Sequence, residues 1–122
     1  VNIGSVLSRT GAKYVSAYAA SKHAMLGFTR CIAAEMGERG VTVNAICPGW
    51  VATELVTQAI ENITSKTGMS HDEAEATILQ DTPQRRALDP DEVAQMTLLL
   101  CQEGGRGING QAIGMDGGSF LG

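Results

Sequence analysis

Aromatic residues are scarce in this chain, 4% of 122, and its nine basic residues are outnumbered by thirteen acidic ones, for a formal charge of −4. Proteins that grip nucleic acid or an anionic membrane surface need a basic stripe, commonly with aromatic rings for stacking. Neither is present, so neither partner is expected. No apolar run approaches the roughly 20 residues of a membrane-spanning helix. Only three cysteines occur, Cys31, Cys47 and Cys101, at spacings that form no framework of pairs. Each lies in an apolar stretch, the setting of a buried, reduced thiol in a cytoplasmic protein. The two histidines, His23 and His71, do not join them in a ligand pattern, so no metal site is expected. Internal repeats, low-complexity linkers and a visible signal peptide are lacking too. The chain opens without Met inside an apolar stretch and reads as a segment of a longer polypeptide, residues 1–122 being part of one domain.

What is present alternates between two periodicities. Residues 1–6, Val-Asn-Ile-Gly-Ser-Val, form an apolar run expected as a short buried strand. A polar loop over 7–15 follows. Ser16 is an N-cap residue for a helix to about residue 39, closed by Gly40. Along it Ala20, Ala24, Phe28, Cys31 and Ile32 recur at helical spacing, an alanine-rich face that admits another helix. Residues 41–47 are β-branched and apolar, as in a strand covered on both faces, and Pro48-Gly49 stops them. Two short helices are predicted over 54–65 and 71–80, the second opened by a capping box of Ser70 with Glu73. Asp89, Pro90 and Glu92 open a further helix to about residue 102, and an Asn109-Gly110 turn leads to a last strand over 111–115. Strands alternating with helices predict an α/β fold with a parallel sheet.

Tyr18 and Lys22 stand one helical turn apart, which places the ammonium beside the phenol. A phenol with a reference pKa of roughly 10 exchanges protons poorly at neutral pH. A cation fixed close by favours the phenolate and makes exchange practicable. Ser5, at the end of the first strand, puts a hydroxyl where it can meet the phenol over one substrate oxygen. Serine, tyrosine and lysine so arranged move a proton on and off an alcohol or carbonyl oxygen. Tyrosine four residues before lysine is common on ordinary helices, where the pair is a packed ring and a solvated charge. The surrounding segments single this one out.

Those segments are Asn2-Ile3-Gly4-Ser5, Ser16-Ala17-Tyr18-Ala19-Ala20-Ser21-Lys22, Val43-Asn44-Ala45-Ile46-Cys47-Pro48-Gly49, and Asn109-Gly110-Gln111 leading to Asp116-Gly117-Gly118. In that order they closely resemble the C-terminal half of the short-chain dehydrogenase/reductase family, from the first residue nearly to the last, weakening between about residues 53 and 86. The resemblance implies the C-terminal part of a Rossmann-type, doubly wound parallel sheet, and an enzyme that interconverts a secondary alcohol and a ketone with NAD or NADP. It makes Ser5, Tyr18 and Lys22 catalytic, with Ser5 polarising the substrate oxygen, Tyr18 passing the proton and Lys22 also holding the nicotinamide ribose. It puts Pro48, Gly49, Val51 main chain and the Thr53 hydroxyl on the nicotinamide side, where glycine lets a planar ring come close. Trp50 is either a packing residue or a wall of the substrate pocket. Ser21 reads as a packing residue, Asn2 and Asn44 as partners of neighbouring loop backbone, Asp116-Gly117-Gly118 as a tight turn, and Arg85-Arg86 as a solvated pair.

The family also implies a substrate lid over about 53–86, lined by Leu55, Val56, Ile60, Ile63, Ile78 and Leu79. It further implies a homodimer or homotetramer to which Phe120 and Leu121 contribute apolar contacts. The run 44–51, with Leu55-Val56 and Ile60-Glu61, particularly resembles 3-hydroxybutyrate dehydrogenases and the ketoreductases of fatty-acid and polyketide synthesis, hence a 3-hydroxy or 3-oxo acyl substrate. The family's Gly-rich phosphate loop is not among these 122 residues. The alternative is therefore an inactive fragment, or a binding protein on the same fold.

Overall fold

A computed structural model of the chain describes residues 1–121. Three short strands, β1 (Asn2–Ile3), β2 (Ala45–Pro48) and β3 (Ala112–Met115), lie side by side in that order, all parallel. Four α-helices connect or extend them: α1 (Ser16–Met36), α2 (Glu54–Thr67), α3 (His71–Ile78) and α4 (Pro90–Cys101). The register pairs Ile3 with Ile46 and Pro48 with Met115, so the carboxyl ends of the strands come level. Every residue of β2 is buried, as its apolar composition requires of a central parallel strand.

The first strand is shorter than its apolar run predicts. Ser5 turns the chain: its Oγ accepts from Leu7 N at 3.1 Å, and the Ser8 hydroxyl accepts from Ser5 N at 3.1 Å. This reciprocal cap starts a 3-10 turn, Val6–Ser8, where strand was expected. The middle strand likewise begins only at Ala45, because the chain before it is tied by side chains. Asn109 Oδ1 accepts from Val43 N at 2.8 Å, while Asn44 donates to Ile108 O at 2.6 Å and accepts from Gln111 N at 3.0 Å. Asn44 thus serves loop backbone as expected. Asn2 does not, donating instead to the Thr29 hydroxyl on α1 at 2.9 Å.

Helix α1 begins at Ser16 itself, with Val15 in the cap position and no side-chain cap, so Ser16 is not the predicted N-cap. After Met36 it tightens into a 3-10 turn that Gly40 closes at φ +73°, a left-handed conformation suited to glycine. Its buried residues are Leu26, Thr29 and Ala33, and Leu26 packs on Ala45 and Cys47 of β2. The expected stripe lies elsewhere: Ala20, Ala24, Phe28 and Cys31 are exposed and Ile32 is half-buried. Thr29 can enter the core because Met25 O and the Asn2 amide satisfy its hydroxyl. That lets a less apolar face turn inward. Of the three thiols only Cys47 is buried; Cys31 and Cys101 are exposed, against expectation. Ser21, read as a packing residue, is exposed and donates to Tyr18 O at 2.7 Å.

Helices α2 and α3 pack on each other with a core of their own, Val56, Ile60 and Ala74 with Ile63 and Ile78. Ser70 and Glu73 cap α3 as predicted, and Asp89 and Glu92 cap α4. Of the six residues expected to line a lid, four are spent between the two helices and Leu79 is buried, leaving Leu55 exposed.

Candidate active site

The site assembles on the carboxyl edge of the sheet, where connections leave the strands and side chains of different elements converge. Tyr18 lies in the first turn of α1 and is 44% exposed. One turn on, Lys22 bends back so that Nζ stands 5.5 Å from the centre of the Tyr18 ring and donates to Ile3 O at 3.1 Å. The lysine thereby joins α1 to β1, two residues before Ser5. Ser5 is nearly buried at the head of its 3-10 turn, against which α1 packs.

Gly4 N donates to Ile46 O at 2.7 Å, and Gly49 N donates to Met115 O at 2.9 Å, so Ser5 and Pro48-Gly49 leave neighbouring strand ends. Both glycines sit where a side chain would be crowded. A Cβ on Gly4 would fall 2.8 Å from the Ser8 oxygen, and one on Gly49 would fall 3.1 Å from Asp116 Cα and Cβ. Beyond Pro48, Trp50 O accepts from Leu88 N and Ala52 N donates to Leu88 O, both at 2.8 Å, which pins Val51 in a bridge with Leu88. Trp50 is 38% exposed. Thr53 heads α2 without capping it by its side chain, its hydroxyl donating to Val51 O at 3.2 Å. Ser5, Tyr18 and Lys22 therefore group at the end of β1, while Pro48, Gly49, Trp50, Val51 and Thr53 follow the end of β2. No hydrogen bond links the two groups among the described residues. Ser8, which holds the Ser5 backbone, and the Ile3 carbonyl, which holds Lys22, went unassigned from sequence. The Ser5-x-x-Ser8 spacing was the available signal for the first; a main-chain carbonyl leaves none.

Where the chain returns from α3, Arg85 and Arg86 are both exposed, as expected, and Arg86 is in addition paired. It forms a bidentate ion pair with Glu92, 2.6 and 2.8 Å, beside the cap of α4. The hydrogen bonds from Arg86, then that from Asp89 N, hold the Glu92 carboxyl down at about 2. Glu73 is likewise held below the usual carboxylate range, by Ser70 backbone and then side-chain hydrogen bonds.

Known proteins fit the same outline. A sequence profile described as enoyl-(acyl carrier protein) reductase matches residues 1–119. D-beta-hydroxybutyrate dehydrogenase of Cupriavidus necator is 37% identical over 119 residues, 97% of this chain and 46% of that protein. Acetoacetyl-CoA reductase of Shinella zoogloeoides is 34% identical over 121 residues, 99% of this chain and 46% of that protein. Among solved structures, a short chain dehydrogenase family protein of Francisella tularensis superposes with a TM-score of 0.91 at 28% identity, covering 96% of this chain and 49% of that one. A variant of actinorhodin polyketide ketoreductase, crystallised with NADPH, superposes with a TM-score of 0.88 at 36% identity, covering 97% and 45%. The chain spans about half the length of the curated relatives it matches. Its three parallel strands and the helices around them are a segment of their Rossmann-type fold. The chain belongs to the short-chain dehydrogenase/reductase family.

Proposed function

We propose that this chain carries the proton-transfer end of a nicotinamide-dependent oxidoreductase, which interconverts a secondary alcohol and a ketone on a 3-hydroxy or 3-oxo acyl compound. The observation that carries the reading is the placement of Lys22, bonded to Ile3 O and standing over the Tyr18 ring, two residues from Ser5. In this reading Tyr18 gives its proton to the carbonyl oxygen during reduction and takes it back during oxidation. The Lys22 ammonium stabilises the negative charge left on the phenol oxygen. Ser5 donates a hydrogen bond to the substrate oxygen as charge develops there, from a turn already held in place by Ser8. Trp50 walls the substrate side.

The residues present suit the nicotinamide half of NAD or NADP. Lys22 and Tyr18 offer donors to ribose hydroxyls. Val51 main chain and the exposed Thr53 hydroxyl offer partners for a carboxamide, beside Pro48-Gly49. When bound, such a cofactor supplies or accepts hydride. The acyl substrate class draws support from the relatives named for hydroxybutyrate and acetoacetyl-CoA. On the same reading α2 and α3 form a lid that excludes water, and the intact protein is a cytoplasmic homodimer or homotetramer.

The test is Tyr18→Phe in the intact protein, assayed with NADH and NADPH against acetoacetate, acetoacetyl thioesters and cyclic ketones. Removing only the transferable proton is expected to lower kcat by about 10²–10⁴-fold with cofactor affinity kept. Turnover within a few-fold of wild type would sink the role of Tyr18. A cyclic ketone reduced far faster than the acetoacetyl compounds would overturn the substrate class alone.

A further inference from the structure

We propose that Arg9 and Phe120 are positioning residues for Ser5, braced by the C-terminal turn over 116–120. The proposal rests on the role given to Ser5 above. Ser5 heads a single 3-10 turn and Arg9 stands at its foot: Ser8 N donates to Ser5 O at 2.8 Å and Arg9 N to Val6 O at 3.0 Å. So short a turn is placed by α1, which packs against it, and by whatever holds its ends. Strand β1 holds the head. At the foot, the Arg9 guanidinium lies 4.7 Å from the centre of the Phe120 ring, within cation–π range.

Phe120 is in turn carried by a rigid support. Gly118 N donates to Asp116 Oδ1 at 2.9 Å and Ser119 N to Asp116 O at 3.2 Å. Gly117 and Gly118 take φ of +62° and +89°, and a Cβ on Gly117 would stand 2.8 Å from Thr82 Cγ2. Gln84 N donates to Gly117 O at 3.1 Å, and Asp116 fills the space beside Gly49. Five residues therefore touch three segments at once: the foot of the Ser5 turn, the chain leaving α3, and the Pro48-Gly49 turn. Phe120, expected at a subunit contact, is half-buried within its own chain.

Loss of the ring contact loosens the foot of the turn and with it the placement of the Ser5 hydroxyl. A misplaced donor lowers the rate of the chemical step. Cofactor affinity stays, because Lys22 is anchored upstream on Ile3.

In the intact protein, Phe120→Ala and Arg9→Ala are each expected to lower kcat about tenfold with NADH or NADPH affinity unchanged within about twofold. The double variant is expected to be no slower than Arg9→Ala, because Phe120 acts through Arg9. Phe120→Tyr keeps the ring and wild-type kcat, while Phe120→Leu keeps only bulk and behaves as Phe120→Ala. Wild-type kcat in Phe120→Leu would reduce the tail to filling space and overturn the proposal. Amide hydrogen exchange over residues 5–9 reads the same device without turnover: it should quicken about threefold or more in Phe120→Ala, with α1 unchanged. Unchanged exchange there overturns the proposal whatever the activity. Quickened exchange in a protein that turns over no ketone upholds the brace and defeats only the proton-transfer reading. Should Phe120→Ala fail to fold, Phe120→Leu carries the exchange measurement with the same expectation.

Discussion

Lys22 serves two partners with one ammonium, the Ile3 carbonyl and the Tyr18 ring, so its removal acts on two properties together. Lys22→Ala in the intact protein is expected to lower cofactor affinity and kcat in parallel, each by about tenfold or more, with thermal stability little changed because the side chain is half-exposed. A rate loss with unchanged cofactor affinity would remove the ribose role and leave the lysine to Tyr18 and β1. Gly4 allows a second test at this scale. Any Cβ there meets the Ser8 oxygen at 2.8 Å and Cys47 Sγ at 3.2 Å, so Gly4→Ala must displace the hydroxyl that holds Ser5 N. In the intact protein turnover is expected to fall several-fold and Tm by about 2–4 °C, roughly 1 kcal/mol. The pairing of Tyr18 with Lys22 was readable because helical spacing alone sets it. The partners of Ser5 and Lys22 were not, since they depend on how β1 ends and on a carbonyl that no side chain announces.

At the scale of elements, local signals were the legible ones. Ser70 with Glu73 and Asp89 with Glu92 started their helices as read, because a cap is decided within four residues. The inward face of α1 was misread, since the helix is apolar on two sides and only tertiary contacts choose between Leu26 and Phe28. The supposed lid lining was misread for a related reason: Val56, Ile60, Ile63 and Ile78 satisfy each other across α2 and α3. The Arg86–Glu92 pair ties the end of that two-helix unit to α4, and its response to pH follows from the depressed carboxyl. A folded pKa of about 2, below the ordinary carboxylate value, means that the pair's contribution is complete above about 4.5 and lost as pH falls towards 2. Thermal unfolding of wild type and Glu92→Gln should therefore differ by about 2 °C or less at pH 7, and the difference should close between about pH 4.5 and 2. A difference that persists at pH 2 would assign it to the cap of α4 instead.

For the whole molecule, the parallel sheet was legible because apolar strands alternate with helices, and its shortness was not. Three strands of two to four residues give a thin core, and apolar side chains remain uncovered at Val1, Ile3, Phe28, Val41, Leu98 and Leu99. Strand β1 is moreover an edge of the described sheet, with only β2 beside it. A parallel sheet is stable when both of its faces are covered, so these uncovered side chains mark where further packing would add stability. The nicotinamide-side residues are here, but no Gly-rich turn opening a helix to cradle a pyrophosphate is among them. Half of a dinucleotide site forgoes the charge-assisted contacts to phosphate that supply much of its affinity. The 122-residue polypeptide alone is therefore expected to show no dehydrogenase turnover and to bind NADH or NADPH with a Kd weaker than about 1 mM, less than about 4 kcal/mol of binding. Calorimetric titration of each dinucleotide into the purified chain measures this directly. Micromolar affinity would mean that Lys22, Val51 and Thr53 hold the cofactor without its phosphate cradle, and that the site is far more self-sufficient than its sheet.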